Sequence, residues 1–504
     1  MEAMETKKSG GGILGTIERV GNKLPHPFIL FLYIIAILAV VSAVFAAMRT
    51  HVINPSNGKT VFVRSILSQE GLVWVVEHLL SNFSSFAPLG LVLAMQMAIG
   101  LAEAAGLLST VMRRAMMGVP LWALSATVIF LGINGSIASE ASIIVIPELA
   151  ASAFAVLGKN PLAGLIAGYA ATNAGFTANV LITGTDALLC GVTQEAAHII
   201  DPNVVVTAAD NWFFMIVSCF LLTAVGVVVN DKVITPRLGA YTGELATEGT
   251  SVTPAEKKGL RYAGIFTAVY VALLLLCTVP ANGLLRGKGG TLIPSPFLNG
   301  LVPILIIYFI LVGVVYGKTV GTIKQSSDVP KFMAQSLNSL TGYIVLVFVI
   351  SQFIAMFNFT NLGMVIAVNG AAGLQNAGFT GVPLIIGIIL LTTVVNLFMS
   401  SGSAKWYIFA PIFVPMLMIL GYSPAFAQVI YRIGDSVTNP ITPIYPYLPI
   451  IIGMAQKYEK NTGMGTIISL MLPYSGAFLV VWILQMAAWL LLKLPLGPGV
   501  SCFF

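Results

Sequence analysis

The residues best suited to chemistry in this chain lie between positions 395 and 443, inside a region that is otherwise apolar. This stretch contains three charged residues, Lys405, Arg432 and Asp435, and the last two are three positions apart. Within lipid, ionisable side chains usually face the interior of a helix bundle and mark the path of an ion or a substrate. The pattern therefore predicts a binding site inside a membrane protein. The alternative is a structural kink in which Arg432 and Asp435 pair with each other.

Oxygen-bearing side chains near Asp435 predict a cation site. Asn439 follows Asp435 by four residues, and Asn396 lies in a preceding apolar segment. Carboxylate and amide oxygens are the ligands that hard cations prefer. We therefore expect a sodium site formed by Asn396, Asp435 and Asn439. No other cofactor is expected, since the four cysteines are scattered without the spacing of metal ligands.

Other polar residues in the apolar regions have two interpretations each. Asp186 can act on a proton or on a substrate amine, or it can mark the outer membrane boundary. Trp406 can stack on an aromatic substrate, or it can anchor a helix at the membrane interface. The sequence assigns no partner to three further charged residues, Lys405, Glu140 and Glu103.

A second interrupted stretch, from position 133 to 186, repeats the order of features found in the first. Ser139 precedes Ser403 by 264 residues, and Pro161 precedes Pro424 by 263 residues. Each copy has an apolar arm, a serine-rich break, a second apolar arm and then a helix interrupted by polar residues. Paired interrupted segments in the two halves of a chain are typical of transporter binding sites. We therefore expect Ser139 and Ser403 at the tips of two equivalent hairpins.

The composition is that of a protein that crosses the membrane many times. The 504 residues are 57% hydrophobic and 9% charged, with a mean hydropathy of +0.93, whereas soluble domains have about 25% charged residues. The net charge of +6 is small for this length, and the basic residues lie between apolar segments. No nucleic-acid partner is therefore expected. Positions 1–27 lack the apolar segment of a signal peptide, so we expect the first apolar run to be retained as a helix.

Apolar runs of about 20 residues predict an all-α polytopic membrane protein with nine transmembrane helices. The predicted spans lie near 28–48, 87–106, 160–190, 212–230, 262–281, 298–317, 338–357, 424–455 and 466–491. Two further apolar segments, 119–156 and 381–420, are each broken in the middle by Gly and Ser. Each is predicted to form a re-entrant hairpin. The third and eighth spans are long because we expect them to be unwound, around 173–177 and 435–443.

The distribution of Lys and Arg predicts the orientation in the membrane. With the N-terminus inside, seventeen of these residues lie on the inner side and six on the outer side, a strong positive-inside bias. The first hairpin then enters from the cytoplasm and the second from outside, which is the inverted symmetry of transporters with paired repeats. The C-terminus is expected in the periplasm. The chain is predicted to begin with a cytoplasmic segment, 1–27, and a first repeat, 28–230. A linker with a connecting span and an outer loop, 231–297, then leads to a second repeat, 298–504.

The sequence disfavours three other classes of protein. Positions 313–319 read G-V-V-Y-G-K-T, which is one residue too short for a nucleotide-binding P-loop. An intramembrane hydrolase using Ser403 would need a positioned general base, and none of the four histidines lies in a predicted span beside that serine. A passive channel would need a continuous polar pore, whereas the polar residues concentrate in two matched stretches. The favoured class is a secondary transporter that works by alternating access.

Motifs along nearly the whole chain closely resemble those of the AbgT family, the p-aminobenzoyl-glutamate transporters. They are G-N-K-L-P-H-P-F near the start, N-F-S-S-F-A-P-L-G at 82–90, G-F-T-A-N at 175–179, S-G-S-A-K-W at 401–406, A-P-I-F-V-P-M at 410–416, P-A-F-A-Q-V at 424–429 and L-P-x-G-P-G near the end. The resemblance implies a dimeric carrier of the bacterial inner membrane with nine spans and two hairpins. It implies uptake of p-aminobenzoyl-glutamate or export of sulfonamide antimetabolites, driven by a proton or sodium gradient.

The resemblance also implies roles for particular residues. The family's functional aspartate, tryptophan, proline and arginine correspond to Asp186, Trp406, Pro424 and Arg432. Its hairpin serine, cation-site asparagine and aspartate, and later proline correspond to Ser403, Asn396, Asp435 and Pro443. We expect Arg432 to bind the substrate carboxylate, Trp406 to stack on its ring, and Asp186 to act in coupling or at the amine end. The expected partners are a small aromatic carboxylate, membrane lipid and a second copy of the chain.

Overall fold

The computed structural model describes residues 25–55, 57–116, 119–241, 252–292, 295–399 and 401–504. Nearly all of the predicted cytoplasmic segment, 1–27, lies outside these ranges. Within them, the regular structure is helical apart from one antiparallel pair of short strands, β1 (His51–Ile53) and β2 (Thr60–Phe62). The expectation of a helical membrane protein is therefore confirmed, and this strand pair is an addition that the sequence did not predict.

The helices of the first half begin near the start of the described chain. They are α1 (Pro27–Ala47), α2 (Gln69–Ser84), α3 (Ala87–Ala104), α4 (Leu107–Met116), α5 (Leu124–Ile133), α6 (Ser142–Val156), α7 (Pro161–Ala174), α8 (Gly184–Ala197), α9 (Trp212–Val229) and α10 (Thr235–Leu238). A 3-10 helix, Asn134–Ala141, joins α5 to α6 at the predicted break of the first hairpin. The helices α2 and α4 were not among the predicted elements.

The second half repeats much of this order. Its helices are α11 (Pro254–Thr278), α12 (Pro296–Asn299), α13 (Leu301–Val320), α14 (Asp328–Leu337), α15 (Thr341–Thr360), α16 (Leu362–Asn376), α17 (Gly381–Asn396), α18 (Gly402–Ile419), α19 (Pro424–Val437), α20 (Leu448–Gln456) and α21 (Met464–Leu492). The arms of the second predicted hairpin are α17 and α18. The sequence did not predict α14 or α16.

Two of the predicted long spans are interrupted helices, as expected. The first interruption separates α7 from α8, and the second separates α19 from α20. The helices α7 and α19 each contain 14 residues and start with a proline, at positions 161 and 424, after a residue whose side chain caps the helix. Proline is favoured there because the first N–H groups of a helix have no partner within it. The local sequence thus builds the same element twice.

Eight helical stretches within the described ranges are long and apolar enough to cross a membrane. They are Pro27–Ala47, Gln69–Ala104, Trp212–Leu238, Pro254–Thr278, Leu301–Val320, Thr341–Thr360, Gly402–Ile419 and Met464–Leu492. This set leaves out the two interrupted helices, because each is divided into short pieces. It also includes α18, which the sequence predicts to be one arm of a hairpin.

The interrupted helices occupy the centre of the protein. Every residue of α7 and α19 is buried, whereas α11 has three buried residues among 25. In the first half α7 packs against α5 and α6, and in the second half α19 packs against α17 and α18. The two halves meet where α19 contacts α7 and α8. Polar side chains on α19 are therefore held in the protein interior.

Gly434 allows α19 to lie close to α17. A Cβ atom at this position would lie 2.6 Å from the carbonyl oxygen of Ile389 and 2.6 Å from the Cβ atom of Thr392. Contacts this short require the backbone to shift. We therefore expect Gly434→Ala to cost about 1–3 kcal/mol of stability, as overpacking does. The apparent unfolding temperature of the purified protein in detergent measures this cost.

Gly476→Ala on α21 is the matched control for that prediction. A Cβ atom added there has no other atom within 4 Å, so the unfolding temperature should change little. If Gly434→Ala unfolds at the same temperature as the wild type, the close approach of α19 to α17 is contradicted.

Candidate functional site

Two oppositely charged pairs are buried at the centre of the protein, and α19 contributes one residue to each. Arg432 pairs with Asp186, and Asp435 pairs with Lys405. All four residues are 5% exposed or less. Because each pair joins one acid to one base, the four groups carry no net charge when ionised. The alternative in which Arg432 and Asp435 neutralise each other is wrong, since each has its counter-ion on another element.

The pair of Arg432 and Asp186 joins α19 to the start of α8. Arg432 Nη2 lies 2.7 Å from Asp186 Oδ1, and it also donates to the carbonyl oxygen of Thr177 at 2.7 Å. The second carboxylate oxygen, Oδ2, accepts from the N–H of Thr183 at 2.7 Å and from its hydroxyl at 2.8 Å. Asp186 is therefore both a capping residue at the start of α8 and the counter-ion of Arg432.

The irregular segment between α7 and α8 is held by side chains from other elements. The hydroxyl of Thr177 lies 2.6 Å from that of Ser436 on α19. The N–H of Val180 donates to Asn134 Oδ1 at 2.9 Å, and its carbonyl accepts from Trp212 Nε1 at 2.7 Å. The two bonds to Val180 satisfy backbone groups that a continuous helix would have paired internally. Irregular backbone is tolerated inside a membrane protein only under this condition.

Lys405 and Asp435 form the second pair, between α18 and α19. Lys405 Nζ lies 2.7 Å from Asp435 Oδ1 and also donates to Asn396 Oδ1. The hydroxyl of Tyr431 lies 3.1 Å from the same carboxylate oxygen. Lys405 is in the first turn of α18, directly after the break between the two arms of the second predicted hairpin. The structure thus assigns Lys405 the partner that the sequence left open.

Asn396 links the three residues that the sequence predicts as sodium ligands. The two N–H donors of its amide nitrogen are shared among three acceptors, the carbonyl of Asp435 at 2.7 Å, Thr438 Oγ1 at 2.9 Å and Asn439 Oδ1 at 2.9 Å. These three groups can only accept hydrogen bonds from the amide, so its NH₂ group must face them. The amide oxygen Oδ1 therefore faces Lys405. Asn396, Asp435 and Asn439 therefore lie together. Their role in binding sodium stays a prediction, since the Lys405 ammonium already binds one oxygen of Asn396 and one of Asp435.

Trp406 joins α18 to both α19 and α8. Its ring stacks on Tyr431 with a centroid distance of 4.4 Å and an interplanar angle of 27°. Its indole N–H donates to the hydroxyl of Thr193 on α8 at 3.0 Å, and Gln428 Oε1 lies 2.8 Å from that hydroxyl. Trp406 is completely buried, which does not fit an anchor that faces the lipid headgroups. The two stacked rings form an aromatic wall at Asp435, since the hydroxyl of Tyr431 lies 3.1 Å from Asp435 Oδ1.

The remaining predicted site residues lie at breaks and helix ends. Ser403 is in the first turn of α18, with its hydroxyl 3.4 Å from that of the capping residue Ser401. Ser139 belongs to the 3-10 helix between α5 and α6. Pro424 is the first residue of α19, and Pro443 lies in a turn between α19 and α20. The serines thus occupy the two matched breaks, while the prolines mark the start of α19 and the irregular segment after it.

Arg432 has an unused hydrogen-bond donor. Its Nε has no partner among the described residues, although the atom is buried. Buried polar groups are paired in the great majority of cases, so an unpaired one requires an explanation. The guanidinium presents five N–H donors in a planar fork that fits a carboxylate. Arg432 can therefore donate hydrogen bonds to another carboxylate in addition to, or in place of, that of Asp186.

Sequence reasoning did not predict three residues of the site, Thr177, Thr193 and Tyr431. Thr177 lies in the predicted first interruption, and its place in the G-F-T-A-N motif was the available signal. Thr193 and Tyr431 lie within helices, and nothing in their neighbouring sequence distinguishes them. Their contacts with Trp406 and Asp435 arise from packing between elements that are far apart in the chain.

Comparisons with known proteins show which proteins this chain is similar to. The sequence model of the AbgT putative transporter family matches residues 12–504. The p-aminobenzoyl-glutamate transport protein of Escherichia coli (strain K12) is 42% identical over 501 residues, 99% of each chain. The YdaH transporter of Alcanivorax borkumensis, which has an unusual topology, superposes with a TM-score of 0.90 and 38% identity, over 94% of this chain and 100% of that one. MtrF of Neisseria gonorrhoeae, from a class of antimetabolite efflux pumps, has a TM-score of 0.91 and 41% identity, over 97% of this chain and 100% of that one.

Proposed function

The chain belongs to the AbgT putative transporter family, and from this premise we propose that it is a secondary active transporter of p-aminobenzoyl-glutamate-like or p-aminobenzoate and sulfonamide-type compounds. Its relatives are transport proteins and not enzymes. In our proposal an ion gradient drives transport, and the binding site faces the two sides of the membrane alternately. The substrate site lies where the two interrupted helices meet.

The single observation that carries the proposal is the buried pairing of Arg432 with Asp186 across these helices. Arg432 is 1% exposed and retains an unpaired Nε donor. Compounds of the proposed class that carry a carboxylate match this guanidinium, because a carboxylate accepts two parallel N–H bonds from it. Transporters commonly bind substrates at the interface between two repeats, on discontinuous helices. These features support Arg432 as the substrate anchor.

Charge balance suggests how substrate binding is linked to an ion. A carboxylate that binds Arg432 competes with Asp186, which then loses its counter-ion in a buried position. An unpaired buried carboxylate is costly, so Asp186 must take up a proton or bind a cationic group. In this proposal Asp186 is the coupling residue, and Thr183 holds its other oxygen in place throughout.

The proposed partner of the substrate's aromatic ring is Trp406. Trp406 and Tyr431 are stacked on each other and lie on the two helices that carry Lys405 and Asp435. Offset stacking of aromatic rings contributes about 0.5–1.5 kcal/mol beyond the area that it buries. We propose that Trp406 stacks on the substrate ring, while Ser139, Ser403, Pro424 and Pro443 shape the breaks around it.

We propose that Asp435, Asn396 and Asn439 form the cation side of the transporter. An incoming cation, either a proton on Asp435 or a sodium ion shared among the three side chains, has to displace the Lys405 ammonium. The hydrogen bonds of Asn396 support this role, because they join the second-hairpin arm to the last turn of α19 and to the start of the interruption that follows it.

The proposed membrane arrangement has nine spans and two re-entrant hairpins that enter from opposite sides of the bacterial inner membrane. The N-terminus is cytoplasmic, the C-terminus is periplasmic, and two copies form a homodimer. The positive-inside bias and the repeated order of α5 to α8 and α17 to α20 support the two-sided entry of the hairpins.

Cysteine labelling tests the orientation of the hairpins. Trp122 is 84% exposed at the start of the first hairpin, and Thr380 is exposed just before the second. In a background without the four native cysteines, Trp122→Cys should react with an impermeant maleimide only from the cytoplasmic side. Thr380→Cys should react only from the periplasmic side. Labelling of both positions from one face would contradict the inverted arrangement.

Counterflow tests transport itself. Proteoliposomes are loaded with unlabelled p-aminobenzoyl-glutamate and diluted into a low concentration of the labelled compound. A carrier that alternates between two faces should accumulate label transiently above its equilibrium level, and external unlabelled compound should abolish this accumulation. A linear influx that does not saturate would indicate a passive channel instead of a carrier. No influx above that of protein-free liposomes would reject the proposed substrate.

A further inference from the structure

We infer that Lys405 is a tethered cation that competes with sodium for the site of Asn396 and Asp435, so that sodium binds there only when the Lys405 ammonium leaves. This inference rests on the proposed function only where it links sodium binding to transport. Sodium binding itself can be measured without transport.

The geometry supports competition because the ammonium occupies the space between the two oxygens. Lys405 Nζ lies 2.7 Å from Asp435 Oδ1 and donates to Asn396 Oδ1. The lysine is 1% exposed, so its charge cannot be balanced by water. One carboxylate balances one cation, and a second cation among the same oxygens would meet strong repulsion at this depth. Lys405 and sodium therefore exclude each other.

The ligands stay in place when the ammonium is removed. Three acceptors share the two N–H donors of Asn396, which keeps its Oδ1 directed to the site. The hydroxyl of Tyr431 lies near both Asp435 Oδ1 and the carbonyl of Gly402. Without Lys405, a buried carboxylate and an amide oxygen would face each other with no cation between them. Oxygen ligands and an uncompensated negative charge favour binding of a hard cation.

The position of Lys405 also explains how it can leave. Its Cα belongs to the first turn of α18, whereas its oxygen partners belong to α17 and α19. A displacement of α18 against either helix withdraws the ammonium, which is attached to a flexible four-carbon stem. The sodium affinity of the site is thereby tied to the position of α18 relative to α17 and α19.

The test measures sodium binding to the purified full-length protein in detergent. Lys405→Gln removes the ammonium and keeps a polar side chain. Binding of radioactive sodium and the unfolding temperature are followed while NaCl replaces choline chloride at constant ionic strength. Lys405→Gln should bind sodium at least about tenfold more tightly than the wild type, whose apparent affinity is reduced by the fraction of molecules in which Lys405 occupies the site.

Two further variants separate competition from a general effect of the substitution. Lys405→Arg keeps a cation and should resemble the wild type. Lys405→Gln combined with Asp435→Asn lacks the carboxylate and should lose the sodium response. Equal sodium affinities for Lys405→Gln and the wild type, or a sodium response that survives in the double variant, would overturn the inference.

If Lys405→Gln is unstable, the yield of folded protein is the measurement that tests the inference. Purification in parallel in NaCl and in choline chloride should give monodisperse protein preferentially in NaCl, because sodium replaces the lost ammonium. Failure in both salts would mean that Lys405 is a structural partner that sodium cannot replace. A positive sodium result together with no influx of p-aminobenzoyl-glutamate would leave this inference standing and reject the proposed substrate.

Discussion

Replacing Arg432 by lysine is expected to weaken substrate binding by about ten- to a hundredfold, although the positive charge is kept. The guanidinium bonds the carboxylate of Asp186 and the carbonyl of Thr177 through one nitrogen and has Nε to spare. An ammonium is a point charge that cannot form the bidentate contact. Losing one hydrogen bond to a charged group costs about 1.5–3 kcal/mol, which corresponds to this change in affinity. Equilibrium binding of labelled p-aminobenzoyl-glutamate to the purified protein measures it.

A neutral version of the pair serves as the control for folding. Arg432→Gln alone leaves Asp186 as an unpaired buried charge, whereas Arg432→Gln combined with Asp186→Asn removes both charges and should keep the fold. This double variant should not distinguish the substrate from its carboxylate ester, while the wild type should bind the ester much more weakly. Equal discrimination by both proteins would show that Arg432 does not hold the carboxylate.

Asp435→Asn is expected to destabilise the protein by about 3–5 kcal/mol, because it leaves the ammonium of Lys405 buried without a counter-ion. The two residues are 1% and 5% exposed, so water cannot compensate the loss. Lys405→Met combined with Asp435→Asn removes both charges and should recover most of the lost stability. The apparent unfolding temperatures in detergent, in choline chloride, provide the measurement.

An exposed pair provides the comparison for this result. Lys457 Nζ lies 3.0 Å from Glu148 Oε1, but the two side chains are 60% and 50% exposed. Lys457→Met should therefore change stability by no more than about 1 kcal/mol. If Asp435→Asn is as mild as Lys457→Met, or if the double variant is less stable than Asp435→Asn, the account of the buried pair is contradicted.

The interruptions of the two central helices could be predicted because their causes are local. Prolines and capping residues start α7 and α19 at the predicted positions, and the first helix ends at Ala174 within the predicted break. The length of the first interruption was not predictable. The backbone of Val180 is held by Asn134 and Trp212, which lie 46 and 32 residues away in the chain. A local pattern shows where a helix stops, but not which distant side chains support the segment that follows.

The sequence singled out the charged residues of the candidate site but not their partners. Asp186, Arg432 and Asp435 stand out because charge inside apolar sequence is rare. The spacing of Arg432 and Asp435 suggested a pair within one helix, but packing of α19 between α8 and α18 gives each residue a different counter-ion. Lys405 was visible in the sequence without a role, because its acceptors lie 9 and 30 positions away in two other helices.

The short helices were missed for a different reason. The helix α2 follows the strand pair and is moderately apolar, with several polar residues among its 16. The helix α16 contains glycines and polar residues that lower its average hydropathy below that of a span. Both pack against helices of the core, α2 on α15 and α16 on α18. Tertiary packing stabilises such helices, and a search for long apolar runs does not find them.

The most direct test of the proposed ion-driven transport is the movement of labelled p-aminobenzoyl-glutamate in proteoliposomes under proton and sodium gradients that are imposed independently and in both directions. Wild-type protein should move the compound against its own gradient when an appropriate ion gradient is present and only to equilibrium when none is. The neutral pair of Arg432→Gln with Asp186→Asn should lose the driven component while remaining folded. Driven transport by that variant as large as in the wild type, or wild-type flux that no ion gradient changes, would contradict the account.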